Sequence, residues 1–182
     1  MNNAENQRCP PRRFYCIYVK TGDESKYTEE IQPVLDSPDT PCNGKLYCLG
    51  KKMRLKNGKE YTESIFPGYI FLETEKIDGI SFLKKGKSFI RLLPANDNPR
   101  PLCDNDVELI NSFLRYGTLL PILKVTFDIN DRIQILDGPF QGQEGLIKAV
   151  NRRNKRVNFE VELLNGIHVV GLTYEIVKKS GE

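Results

Sequence analysis

At 182 residues, with 39% hydrophobic and 28% charged side chains, the chain suits one ordinary domain or two small ones, since domains run about 50–200 residues. No run approaches the roughly 20 apolar residues that cross a bilayer, and the opening MNNAENQRCPPRR lacks the apolar stretch of a secretory signal, so a cytoplasmic protein without membrane contact is expected. A net charge of +3 does not by itself mark a nucleic-acid binder, and the excess lies wholly in residues 1–125, with 19 Lys/Arg against 16 Asp/Glu, while 126–182 hold eight of each.

Phe14–Lys20 reads as a first strand, because its aromatic and β-branched residues suit a pleated surface. Thr21-Gly22-Asp23 then offers a turn and a helix N-cap, and Tyr27, Ile31 and Val34 recur at helical spacing until Pro33 ends or kinks the helix. After a loop over 37–44, Lys45–Leu55 and Lys59–Ile65 flank Asn57-Gly58, a strong hairpin signal that predicts a type I′ turn. The hairpin is basic, with Lys45, Lys51, Lys52, Arg54, Lys56 and Lys59; Lys84, Lys85 and Lys87 form a second cluster around Gly86. Solvated hairpin tips are the simpler account of both clusters on composition alone.

Pro67-Gly68 breaks the pairing and launches the strand Tyr69–Glu73, with Tyr69, Phe71 and Glu73 on one face and Ile70 and Leu72 on the other. Two apolar faces predict that one packs on helices and the other stays partly open or meets a partner. Ile77, Ile80, Phe82 and Leu83 predict a short second helix, and Phe89–Leu93 a further strand. Asp104 is the expected cap of a third helix with Val107, Ile110, Phe113 and Leu114 on its apolar face and Gly117 as its stop. The pattern through 117 is α+β.

Residues 118–126, which include Pro121, read as a linker. Beyond them Arg132–Leu136, Gly145–Val150, Arg156–Leu163, Ile167–Leu172 and a last piece near Ile176–Lys178 predict a small all-β SH3-like barrel. The expected domains are therefore 12–117 and 127–180. Gly138, Gly142 and Gly145 are expected to allow a tight positive-φ connection stiffened by Pro139, which would fix Phe140 at the barrel's edge.

Cys9, Cys16, Cys42, Cys48 and Cys103 are odd in number, irregularly spaced and without a Cys-x-x-Cys pair, so free thiols are expected, with no metal and no cofactor. His168, the only histidine, lies in Gly166-Ile167-His168-Val169-Val170 and suits a strand surface better than chemistry. Without a phosphate loop or a nucleophile paired with a base, a binding protein is expected and not an enzyme.

Two runs carry a family resemblance. Phe66-Pro67-Gly68-Tyr69 before a central strand resembles the N-terminal (NGN) domain of the NusG transcription elongation factors, whose first strand also carries aromatics, here Phe14 and Tyr18. Gly138-Pro139-Phe140, Gly142 and Gly145 after Ile133 and Ile135 resemble the KOW turn, which also occurs in ribosomal proteins. The resemblance spans roughly residues 14–179. It implies that Tyr18, Phe66, Tyr69, Phe71 and Leu92 lie at or near an apolar-aromatic depression that binds the clamp helices of the largest RNA polymerase subunit, which suits aromatic side chains with a polar tip. In the family such binding holds the clamp and suppresses pausing.

The basic hairpin and the run Leu164-Asn165-Gly166-Ile167-His168, where the family's barrel usually has Phe-Gly-Arg, look most like the specialised LoaP paralogues, operon-specific antiterminators. The missing arginine leaves contacts with Rho or ribosomal protein S10 unsupported. Specialisation implies a recruitment signal, an RNA hairpin favoured over non-template DNA. Lys20, Lys51, Lys52, Arg54, Lys84, Lys85 and Lys87, and the basic turn of Arg152, Arg153, Lys155 and Arg156, are the candidate nucleic-acid contacts. The implied function is processive antitermination by a monomer bound to RNA polymerase and so associated with the nucleoid. A general NusG-like factor modulating pausing and termination, and a KOW-type RNA-binding or ribosome-associated protein, are the alternatives.

Overall fold

A computed structural model describes residues 12–40 and 42–177. The chain is α+β and divides into two units: one formed by the segments up to Tyr47 and from Ile70 to Pro101, the other by Cys48–Tyr69 and everything from Leu102.

In the first unit, β1 (Arg13–Val19), β2 (Gly44–Tyr47), β5 (Tyr69–Thr74) and β6 (Phe89–Leu92) form a sheet in the order β2-β5-β1-β6. Helix α1 (Glu24–Leu35) buries Tyr27, Ile31 and Leu35, a spacing of four that places them on one face. They meet Tyr15, Ile17, Val19, Ile70, Leu72 and Leu92 in one core. Pro33 stands inside α1, so the helix runs past the proline by two residues before Asp36 caps it. Asp23 holds the N-cap position without capping; its carboxylate accepts a hydrogen bond from Ser88 Oγ at 2.9 Å instead.

The predicted second helix is absent. Residues 75–82 have no helix, and only a 3-10 turn forms at Leu83–Lys85, with Phe82 and Leu83 in the core and Ile77 and Ile80 packed against it. Burial rather than helical register is what those four residues encode.

In the second unit, β3 (Gly50–Arg54) and β4 (Glu60–Ser64) form the antiparallel hairpin, with β7 (Leu119–Leu120) parallel on the other side of β3. The first predicted arm, 45–55, is thus two strands with separate partners. The turn also differs from type I′: Gly58 has φ 86 but Asn57 is not in the positive-φ region. The Gly58 amide donates to Leu55 O and the Leu55 amide to Lys59 O, so a tight turn closed by a left-handed glycine joins the arms.

Helix α2 (Asp104–Leu114) starts at Cys103, with Asp104 one position inside, and buries Ile110 and Phe113. Gly117, at φ 90, closes its C-terminal end as expected. The remaining strands, β8 (Leu123–Phe127), β9 (Ile133–Ile135), β10 (Ile147–Asn151), β11 (Arg156–Leu163) and β12 (Gly166–Ile176), form a sheet in the order β10-β11-β12-β8-β9. The segment read as a linker therefore carries two strands, because Leu123 and Val125 alternate inward between β9 and β12.

The expected last strand is the end of β12, which pairs antiparallel with β11 over Gly166–Thr173 and parallel with β8 at Tyr174–Ile176. Lys178 and Cys9 lie outside the described residues; Cys16, Cys42, Cys48 and Cys103 are thiols not joined in a disulfide.

The KOW-like turn serves the core. Phe140 is buried and stacks on Phe159 at 3.9 Å between ring centroids and 7° between planes, rather than standing at an edge. Gly138 (φ 112) and Gly142 (φ 74) have the positive φ expected of them, whereas Gly145 does not, and a Cβ there would meet nothing within 4 Å. Pro139 is buried beside Phe140.

Candidate functional site

An aromatic ladder runs through the second unit. Phe66 meets Phe113 of α2 edge-on at 5.7 Å, Phe113 meets Phe140 at 5.6 Å, and Phe140 stacks on Phe159 of β11. At its outer end, the His168 ring of β12 lies edge-on to both Phe66 and Tyr69, 5.8 Å from each. Phe66 is thereby buried and Tyr69 half-buried. His168, expected on a strand surface, lies half-buried on β12 and covers the Phe-Pro-Gly-Tyr aromatics.

The five aromatic-depression residues are not a bare patch. Leu92 pairs with Ile17 and belongs to the core of the first unit, and Phe71 is fully buried, so the face of β5 expected to stay partly open is covered at its centre. Tyr18 is half-buried, with the Arg91 guanidinium 6.0 Å over its ring. Tyr18 and Tyr69 are the two of the five that keep substantial accessible surface.

The basic residues sort into three groups. In the first unit Lys20, Lys84, Lys85 and Lys87 are all exposed, and the Lys20 amide donates to Ser88 O. In the second unit, Lys52 is exposed on β3, whereas its neighbour Lys51 is buried beside Glu63, Nζ to Oε2 3.7 Å. Burial pushes the Lys51 ammonium below its ordinary pKa and Arg156 adds to that, while Glu63 opposes it. Strand alternation sends Lys51 inward, so it presents no free ammonium to a ligand.

The third group is a cleft. Arg54 and Lys56 of the hairpin tip and Arg153, Lys155 and Arg156 of the β10–β11 turn line one cavity of about 850 Å³, floored by Thr173 and Tyr174. Two basic runs about a hundred positions apart in sequence thus meet at one place.

Both walls are held by hydrogen bonds to backbone and side chains. The Thr173 hydroxyl accepts the Arg54 amide at 3.3 Å, Arg156 Nη2 donates to Tyr61 OH at 3.0 Å, and the Tyr174 amide donates to Lys155 O at 2.9 Å. Lys155 itself sits at φ 50. Arg54 spends charge on Glu60 (2.7 Å) and Glu175 (3.8 Å). Arg152 faces elsewhere, ion-paired to Asp131 at 2.8 Å with its guanidinium 4.4 Å over the Phe127 ring.

Among the described residues no group of three His, Cys, Asp or Glu could hold a metal ion, and no helix is long and apolar enough to cross a membrane. Sequence reasoning missed Asp106, buried on α2, and the role of Tyr61; a polar residue on a helix's inner face was the available signal for the first.

Comparison with known proteins joins these observations. A family model described as transcription termination factor nusG matches residues 12–111. The chain is 24% identical over 177 residues to the transcription termination/antitermination protein NusG of Buchnera aphidicola, covering 93% of this chain and 97% of that one. It is 29% identical over 114 residues to that of Streptococcus pyogenes serotype M1, covering 59% and 62%. A solved structure titled "Domain interaction in Thermotoga maritima NusG" shares the fold at a TM-score of 0.53 and 20% identity, over 89% of this chain and 93% of that one. A family match over more than half of the chain, spanning residues 12–111, makes this chain a member of the NusG family.

Proposed function

We propose that the chain is a transcription elongation factor that binds RNA polymerase and promotes processive antitermination of specific operons, recruited by a nucleic-acid signal, with a structured RNA favoured. The observation that carries the recruitment is the cationic cleft, in which the hairpin tip and the β10–β11 turn converge with no carboxylate among the lining side chains. Lys and Arg on phosphates supply affinity and salt dependence but do not choose a sequence. Family membership supports the polymerase as partner, through the clamp helices of its largest subunit, and the half-buried Tyr18 and Tyr69 are the residues of the five that would reach it. Phe66, held between Phe113 and His168, is buried and supports the site from beneath.

Single-round transcription through an intrinsic terminator, on templates bearing the operon's own leader or a scrambled one, tests this reading. Leader-dependent readthrough supports a recruited antiterminator of the LoaP kind. An equal effect on both templates returns the protein to the general class that modulates pausing and termination, which the names of its nearly full-length relatives favour. Failure of the full chain to bind polymerase, with RNA binding retained, would leave a KOW-type RNA-binding protein.

A further inference from the structure

We infer that the cleft is a single composite site for the phosphodiester backbone of a nucleic-acid strand, one that neither the hairpin nor the C-terminal strands form alone; this rests on the nucleic-acid reading above. Of the five cations that line it, three belong to the 153–156 turn and two to the hairpin tip. Discounting Arg54, whose charge is offset by Glu60 and Glu175, four remain, more than one phosphate neutralises. A polyanion fits where a small anion does not. Lys56, Arg153 and Lys155 are exposed and form no ion pair among the described residues.

The volume of about 850 Å³ falls within the roughly 300–1,000 Å³ range of sites that enclose a drug-sized ligand, room for a short length of backbone across both walls. Both walls are preformed. The turn at 152–155 is pinned by the Asn154 amide on Asn151 Oδ1 at 2.9 Å and by Tyr174 on Lys155 O. The hairpin tip is pinned by the Lys59 amide on Asn57 Oδ1 at 3.0 Å. A strand that contacts both walls binds only while they are together, so its binding stabilises that arrangement by mass action.

The test uses the full chain with a short oligouridylate and the DNA of the same length. Binding is measured against salt, and amide exchange is followed with and without ligand. Lys56→Gln and Lys155→Gln, both at exposed positions, are each expected to weaken binding several-fold and to flatten the salt slope by about 0.7, the value for one single-strand phosphate contact. The strand is expected to protect amides at both 55–59 and 152–156. Equal binding of RNA and DNA assigns the cleft to backbone alone, and tighter RNA binding adds the 2′-hydroxyl; both support the site.

Protection confined to 152–156, or a Lys56→Gln variant with unchanged affinity and slope, overturns the composite site even where leader-dependent readthrough is intact. An unmodified chain that binds neither strand overturns it as well. Absence of leader dependence with both walls protected overturns the antitermination reading and leaves the site standing.

Discussion

Asp106 Oδ1 accepts the backbone amide of Leu164 at 3.0 Å, tying α2 to the two-residue turn between β11 and β12. That turn has φ 54 at Leu164 and φ 58 at Asn165, the two positive values of a type I′ hairpin. A leucine there is strained by roughly 1–2 kcal/mol, so the aspartate steadies a turn that its sequence does not favour. Asp106→Ala is expected to lower stability by about 0.5–1.5 kcal/mol, the net worth of one hydrogen bond to a part-buried amide, whereas Asp106→Asn keeps an oxygen there and loses less. Urea unfolding midpoints of the two variants check the difference.

Phe140 occupies the middle of the aromatic ladder between Phe113 and Phe159. Phe140→Ala removes a fully buried ring and is expected to destabilise the protein by about 3–5 kcal/mol. Near-ultraviolet circular dichroism and thermal unfolding would register it, and Phe140→Leu should recover part of the loss.

Gly86 matters for space rather than for backbone freedom, since its φ is −71. An added Cβ would lie 2.6 Å from Tyr27 Cδ2, and Tyr27 is itself buried with its hydroxyl donating to Leu83 O at 2.9 Å. Gly86→Ala is expected to cost about 1–3 kcal/mol through overpacking. Gly58→Ala, by contrast, meets no neighbour within 4 Å and is penalised only by φ 86.

Tyr47 donates its phenol hydrogen to Glu73 Oε2 at 2.7 Å. Burial first, and then that hydrogen bond and the Glu73 charge, push its pKa up to about 12 from 10.0. A folded pKa above the unfolded value means the contribution is intact below pH 10 and is lost as pH rises through about 12. Tyr47→Phe is expected to be less stable at neutral pH, with the gap to the unmodified chain closing across that alkaline window. Chemical unfolding at stepped pH measures it.

Lys51 carries a charge at a buried position whose partner, Glu63, is largely solvated. Lys51→Met is expected to leave stability unchanged or to raise it slightly, because the desolvation of the ammonium exceeds what a 3.7 Å pair returns. It is also expected to leave nucleic-acid affinity unchanged, in contrast to Lys56→Gln; anisotropy titration distinguishes the two.

Local pattern made much of the fold legible. The span Arg156–Leu163 is a strand with the bounds that its alternation predicts, and Gly117 stops α2. What misled was context. Ile77, Ile80 and Leu83 have helical spacing, yet they are apolar because a loop packs them on the core. Asn57-Gly58 carries the composition of a type I′ turn, while the real one forms at Leu164-Asn165, where tertiary contact with Asp106 overrides preference. For the site, sequence located the basic runs but could not bring Arg54 to Arg153, since that meeting depends on which strand the hairpin packs upon. Nor could it tell Lys51 from Lys52, whose fates differ by one step of strand register.

Strand β12 is eleven residues long and unbroken. Near its start His168 lies over Phe66 and Tyr69, and near its end Thr173 and Tyr174 floor the cleft and Glu175 holds Arg54. One rod therefore serves as lid at one end and keel at the other. Because the strand is continuous and paired from end to end, the cover over the rings and the floor of the cleft share one backbone.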